Sequence, residues 1–137
     1  MAPRWTATKA LPGGDFAFEK FDDQVEAARA RWRFLDEKQA QRLVCAYGTR
    51  IGDVLGEAKS RDDLGQAFGP ELTEAEARYL MSKEWARFPD DILWRRTKLG
   101  LTMPPEGREA LAAFMAQGAK VERSGTMETP SSRLSEA

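Results

Sequence analysis

The sequence predicts an all-α fold, an irregular array of five or six short helices. Apolar residues recur at spacings of three and four along most of the chain, while no period-2 stretch of any length and no internal repeat occurs. Gly and Pro fall at the ends of those periodic stretches, where they stop and start helices. The 137 residues suit one domain with one modest core. Helices this short are marginal alone, so packing must hold them.

Residues 1–14 read as an irregular linker or docking arm, punctuated by Pro3, Pro12 and the Gly13-Gly14 pair, with Trp5 needing something to pack against. The first helix is expected from Phe18 to Trp32, with Phe18, Phe21, Val25, Ala28 and Trp32 on one face and charges on the other. Asp36 is a plausible N-cap for a second helix that Gly48 ends, with Ala40, Leu43, Val44 and Tyr47 as its apolar stripe. Thr49 is expected to cap a short third helix carrying Ile51, Val54 and Leu55. Leu64 and Phe68 anchor the turn-rich stretch 56–71.

Thr73-Glu74-Ala75-Glu76 has the form of a capping box opening a fourth helix. Ala77, Leu80, Met81 and Trp85 are expected to face inward, Tyr79 to lie off that stripe, and Lys83 and Glu84 to face solvent. Pro89 suits the first position of a fifth helix, with Asp90 and Asp91 in its first turn, Arg95, Arg96 and Lys98 in its last, and Gly100 ending it. Pro104-Pro105-Glu106 opens a sixth helix, with Leu111, Phe114 and Met115 apolar and Gly118 as its stop. The domain is thus expected over 15–118, and residues 119–137 read as a flexible tail.

Composition excludes several chemistries. The chain has no histidine, so neither a Ser-His-Asp or Cys-His arrangement nor an HExxH zinc site is possible. The single cysteine, Cys45, allows no internal disulfide and reads as a small core hydrophobe. No glycine-rich phosphate loop occurs, and Gly13-Gly14 alone is a turn signal. A net charge of -1 gives no global attraction to nucleic acid. No apolar run approaches the ~20 residues a spanning helix needs, and the start has no apolar signal-peptide segment. No catalytic, cofactor-binding or metal residue is expected, and the expected location is cytoplasmic.

The densest segment runs from Leu72 to Leu101. Trp85 and Trp94 flank a Pro turn, and Arg95 and Arg96 follow Trp94 directly. Adjacent helix positions point about 100° apart, so one of the two arginines is expected beside an inward Trp94, partly buried. A buried arginine needs a carboxylate or carbonyl partner, with Glu76, Glu84 and Asp91 as candidates. Trp85, Trp94, Arg95, Arg96, Glu76 and Glu84 are therefore the structural or partner-contact candidates. The bland reading is a structural ion pair; the alternative is an anion or partner site. The run 11–15 is either a plain turn or a fixed crossing between this domain and something else.

Several motifs occur in a familiar order. Leu11-Pro12-Gly13-Gly14-Asp15-Phe16 is followed by Tyr47-Gly48-Thr49, Asp63-Leu64-Gly65, Phe68-Gly69, Leu72-Thr73-Glu74-Ala75-Glu76, Tyr79-Leu80 and Glu84-Trp85-Ala86. The run Asp91-Ile92-Leu93-Trp94-Arg95-Arg96-Thr97-Lys98-Leu99-Gly100 completes the series. Together, over roughly residues 5–117, they resemble the C-terminal region of the FAD-dependent, respiratory glycerol-3-phosphate dehydrogenases. Two departures affect local packing: Phe88 stands where a small capping residue is usual, and Arg33 follows Trp32 where a Tyr-Pro pair is common.

The resemblance implies a non-catalytic helical cap domain. The full enzyme of that family is a flavoprotein, peripheral on the inner face of the cytoplasmic membrane. It oxidises glycerol 3-phosphate to dihydroxyacetone phosphate and passes electrons to quinone. FAD would belong to the full enzyme and not to this chain. The implied partners are the FAD and substrate domains of the full enzyme and, in a homodimer, a second copy; neither nucleic acid nor direct membrane insertion is implied. The Met1 start is expected to be that of an excised fragment or of a truncated reading frame. The alternative is a free-standing helical protein-interaction module.

Overall fold

The computed structural model describes residues 9–124, and side chains as far as residue 118. Five α-helices occur among them: α1 Phe21–Arg31, α2 Glu37–Tyr47, α3 Ile51–Leu55, α4 Glu74–Lys83 and α5 Pro105–Ser124. A π-helical segment, Asp91–Arg96, and several single 3₁₀ turns join them. The all-α expectation is met, since no strand occurs among the described residues. An isolated antiparallel bridge links Ala67 and Thr73.

α1 packs on α2 and α3 on α4. One continuous core includes Val25, Trp32, Leu43, Leu55, Phe68, Leu72, Leu80, Ile92, Leu93 and Leu111. The predicted stripe of α2 is all buried, and Asp36 caps that helix as expected, its carboxylate accepting the Gln39 N–H at 2.7 Å. Leu64 and Phe68 reach the core as the anchors of the turn-rich stretch. Trp32 is buried, and its indole N–H donates to the Gly56 carbonyl at 3.2 Å.

Several expectations change. Phe18 lies in a 3₁₀ turn ahead of α1 and is 87% exposed, because the apolar face begins only with Phe21. Cys45 is exposed, not a core residue. It sits one position beyond Val44, off the i, i+3, i+4 stripe that α2 buries. Tyr79 is buried, where the sequence placed it off the inward stripe of α4, and Met81 is only partly buried. Gly118 does not stop α5, which continues to Ser124. A lone glycine lowers helix stability by about 1 kcal/mol but does not end a helix without a left-handed turn. Trp5, the first part of the arm and residues 125–137 lie outside the described residues.

The capping box is also rearranged. Thr73 is held extended by its bridge to Ala67 and makes no side-chain cap hydrogen bond. The first helical N–H, that of Glu74, instead donates to the Gln66 carbonyl at 2.8 Å. Glu74 closes the same turn with its carboxylate, accepting the Gln66 N–H at 3.1 Å and pairing with Arg78. Those two interactions, the backbone bond first, hold its carboxyl below the usual range. Glu76 is thereby freed for another task.

Candidate functional site

Glu76 is the centre of a buried polar tie between α2 and α4. Its side chain is 1% exposed as a residue and turns into the core. Arg42 on α2 forks onto it, with both terminal guanidinium nitrogens donating to the two Glu76 oxygens at 2.8 Å. The Tyr47 hydroxyl donates to Glu76 Oε1 at 2.7 Å. Arg42 also donates to the Glu71 carbonyl at 3.0 Å, while its Nε lies 3.2 Å from the Glu71 carboxylate, out of line for a hydrogen bond.

The electrostatics follow from that closure. Burial, then the Glu76 charge and the hydrogen bond to it, push the Tyr47 hydroxyl far above its usual range, so it stays neutral. Burial works against the Arg42 charge, but the hydrogen bond and charge of Glu76 more than offset it, and its pKa is raised. Three donors converge on the carboxylate from α2, so Glu76 fastens α4 to α2. Arg42 is the residue the sequence reading missed. The signal was faint: it flanks the buried Leu43 on α2, where a charge needs a partner.

A second fixed feature is a backbone crossing. The turn at Gly13 lies against Tyr47-Gly48-Thr49, with the Thr49 N–H donating to the Gly13 carbonyl at 3.2 Å. The Thr49 hydroxyl donates to the Asp15 carboxylate, so Thr49 ties the crossing and caps no helix. Gly13 and Gly48 both have positive φ, +84° and +55°. A Cβ on Gly13 would lie 2.5 Å from the Tyr47 carbonyl oxygen, and one on Gly48 would overlap the Gly13 carbonyl. The run 11–15 is more than a plain turn, and its fixed crossing is made within the domain, not to something else as the sequence offered.

The aromatic and arginine candidates lie at the surface. Trp85 is 79% exposed, not packed inward. α4 ends at Lys83, and Trp85 takes a left-handed conformation with φ +55°. The Ala86 N–H reaches back to the Leu80 carbonyl at 3.0 Å in a Schellman-like closure. Trp85 occupies the place glycine normally fills, and the reversal swings its ring out.

Trp94 is 38% exposed, also against expectation. The π-helical turn is wider than an α-turn, closed by the Thr97 N–H to the Ile92 carbonyl at 3.0 Å. That turn brings adjacent Ile92 and Leu93 both fully inside, so Trp94 rotates onto Gly100, where a Cβ would lie 2.5 Å from its ring.

Neither Arg95 nor Arg96 is buried, which corrects the expected buried pair. Arg95 is an exposed partner of Asp91 at 3.1 Å. Arg96 donates to the Glu84 backbone carbonyl at 2.8 Å, with the Glu84 carboxylate 3.7 Å away, and so caps the C-terminus of α4. Glu84 is its predicted partner, but the chief bond goes to the main chain. Asp91 replaces the missing cap at Phe88, accepting the Arg87 and Phe88 N–H groups at 3.0 Å, and these hold its carboxyl below the usual range.

Chemically the surface offers apolar contact. One groove of about 580 Å³ is lined by Met81, Trp85, Phe88, Pro89 and Met115. Another, of about 470 Å³, is lined by Leu11, Phe16, Phe18, Phe21, Cys45 and Ala46. No group of three His, Cys, Asp or Glu residues could hold a metal among the described residues. The Gly13-Gly14 pair forms a turn, with the Gly14 N–H on the Leu11 carbonyl and the Gly13 carbonyl accepting from Thr49. No described helix is long and apolar enough to cross a membrane.

Comparison with known proteins agrees with this picture. Residues 5–122 match the model of the C-terminal domain of alpha-glycerophosphate oxidase. The chain is 37% identical over 117 residues to the aerobic glycerol-3-phosphate dehydrogenase of Escherichia coli, covering 85% of this chain and 23% of that protein. It is 36% identical over 115 residues to the glycerol-3-phosphate dehydrogenase of Pseudomonas aeruginosa, covering 84% and 22%. Over 114 residues it is 34% identical to the D-erythritol 1-phosphate dehydrogenase of Brucella abortus, covering 83% and 23%. The chain therefore spans less than a quarter of the length of these relatives. With its helices, crossing and motif order accounted for, the chain belongs to the family of the C-terminal domain of alpha-glycerophosphate oxidase.

Proposed function

We propose that this chain serves as the C-terminal accessory domain of a flavoprotein that oxidises glycerol 3-phosphate to dihydroxyacetone phosphate, with electrons passed to quinone. The observation that carries the reading is the family match over residues 5–122, joined to relatives that are glycerol-3-phosphate dehydrogenases. In this reading the domain is non-catalytic. FAD and substrate are held by the preceding domains, and the full enzyme is peripheral on the inner face of the cytoplasmic membrane. The erythritol phosphate relative carries the same domain, which supports placing substrate choice elsewhere in the polypeptide. The domain's contribution is to stabilise its neighbours through the exposed apolar surface, with the Glu76 tie and the Gly13 crossing keeping that surface rigid.

The test is a graft. Residues 5–122 replace the matched segment of the E. coli enzyme, beside a control that ends before that segment. The graft is expected to retain FAD and reduce a quinone analogue with glycerol 3-phosphate, and the shortened control to lose both. The isolated chain, refolded with FAD, is expected to show no flavin absorption band. A near-stoichiometric band on the isolated chain, or full activity in the shortened control, would overturn the reading.

A further inference from the structure

Of the two apolar grooves, the one at the N-terminal edge of the domain has a feature the other lacks. Leu11 and Phe18 stand 78% and 87% exposed on its rim, with Phe16, Phe21, Cys45 and Ala46 completing an apolar surface. Exposed aromatic and aliphatic side chains gathered on one concave surface mark a contact site. Leu11, near the N-terminal side of the domain, lines its wall, so the chain ahead of the first helix runs along this groove. The Gly13 crossing and the Thr49–Asp15 hydrogen bond hold residues 13–15 against the end of α2 beside this groove.

We infer that this groove is the seat of the polypeptide that immediately precedes the domain in a family-length protein. The inference rests on the reading of the chain as a C-terminal domain. In the relatives more than three quarters of the length lies outside the matched part, and the matched family model is that of a C-terminal domain. The occupant is thus part of the same polypeptide, a few residues ahead of Leu11. A short tether gives an effective concentration on the order of millimolar, above what a free second copy would reach. The occupant's chemistry is an apolar protein surface that takes the Phe18 ring, of the modest size usual between domains of one chain. The groove at Trp85 and Phe88 is lined instead by residues 81–89 and by α5, at the C-terminal side of the domain, away from the polypeptide that precedes it in sequence.

Cys45, the single cysteine of the chain, lies in the groove and reports its coverage. Iodoacetamide alkylation at Cys45, read by mass spectrometry of its peptide, is compared between the isolated 137-residue chain and the E. coli graft. At least tenfold slower alkylation is expected in the graft. Phe18→Asp should return the graft at least fivefold toward the rate of the isolated chain, whereas Leu101→Asp, at an exposed leucine outside the groove, should leave protection intact. The same labelling of the native-length E. coli enzyme, with a cysteine at the aligned position, gives the result independently of how the graft folds.

Equal rates in the isolated chain and in the family-length proteins would overturn the inference. So would concentration-dependent protection of the isolated chain with dimer sedimentation, abolished by Phe18→Asp, which would make the occupant a second copy. An active, flavin-loaded graft with an open Cys45 would sink this inference and leave the proposed function standing. A flavin-free, inactive graft with a protected Cys45 would do the reverse.

Discussion

Two regions tie neighbouring helical segments together with an arginine and a glutamate, and they do so by different physics. In the core, Arg42 forks onto the buried Glu76 between α2 and α4, with Tyr47 as a third partner. At the surface, Arg96 bridges from the π-helical segment to Glu84 at the end of α4, but its main hydrogen bond goes to a backbone carbonyl. The first pair is held by desolvated charge, where loss of one partner strands the other. The second is a helix cap open to solvent, where water replaces what is lost.

The largest effect is therefore expected at Glu76. Glu76→Ala leaves the Tyr47 hydroxyl unpaired in the core and the Arg42 guanidinium with Glu71 alone, at a cost of about 3 kcal/mol, the low end for a broken buried pair. Urea melts of the isolated chain check this. A loss under about 1 kcal/mol would mean that water reaches Arg42 freely, and the contrast between the two regions would vanish.

The next effect belongs to the backbone crossing beside Tyr47. Gly48→Ala puts a methyl group into the Gly13 carbonyl at a positive φ. The strain is expected to cost about 1–3 kcal/mol. Because Gly13 must move, the amide of Thr49 should also exchange faster with solvent deuterium, since its bond to Gly13 is lost. An unchanged Thr49 amide would show that the crossing does not hold the entry of the chain.

The two neighbouring arginines sharpen the surface side. Arg96→Ala removes a charge-assisted bond to the last turn of α4 and should cost about 0.5–1.5 kcal/mol after allowance for solvent. Arg95→Ala breaks an exposed i, i+4 pair with Asp91 and should cost under about 0.5 kcal/mol. Equal, small losses in paired melts would leave the run free for an anion or a partner.

The periodicity that made the fold class and the α2 stripe legible is also what misplaced the tryptophans. Spacing places Trp85 on the inward face only if α4 runs on past Lys83, and Trp94 only if Asp91–Arg96 turns as an α-helix. A left-handed residue and a π-turn each shift the phase, and neither leaves a mark in a hydrophobic pattern. The capping box, a local motif, points Glu76 at the backbone, and the need of a buried arginine for a partner pairs it with the nearby Arg95 or Arg96 instead of Arg42. The bridge from Ala67 to Thr73 that supplants the box joins residues across a turn, beyond what a four-residue motif encodes. Arg42 went unseen for the same reason: its partners lie 34 and 29 positions away, on Glu76 and the Glu71 carbonyl.

The last effect is comparably small, and it reverses sign. A tryptophan packed in the core would cost about 3–5 kcal/mol to remove, but Trp85 is mostly in solvent and strained at φ +55°. Trp85→Gly relieves about 1–2 kcal/mol of left-handed strain. The greater freedom of glycine in the unfolded chain takes back about 0.5–1 kcal/mol. The net is a gain of about 0.5 kcal/mol, read as a slightly higher urea midpoint with an unchanged slope. A gain at Trp85 beside a heavy loss at Glu76 would mean that the exposed ring is kept despite its cost to folding, as expected of a surface contact. A loss above about 1 kcal/mol would mean that the indole packs on the domain and that the segment ties helices together much as the core does.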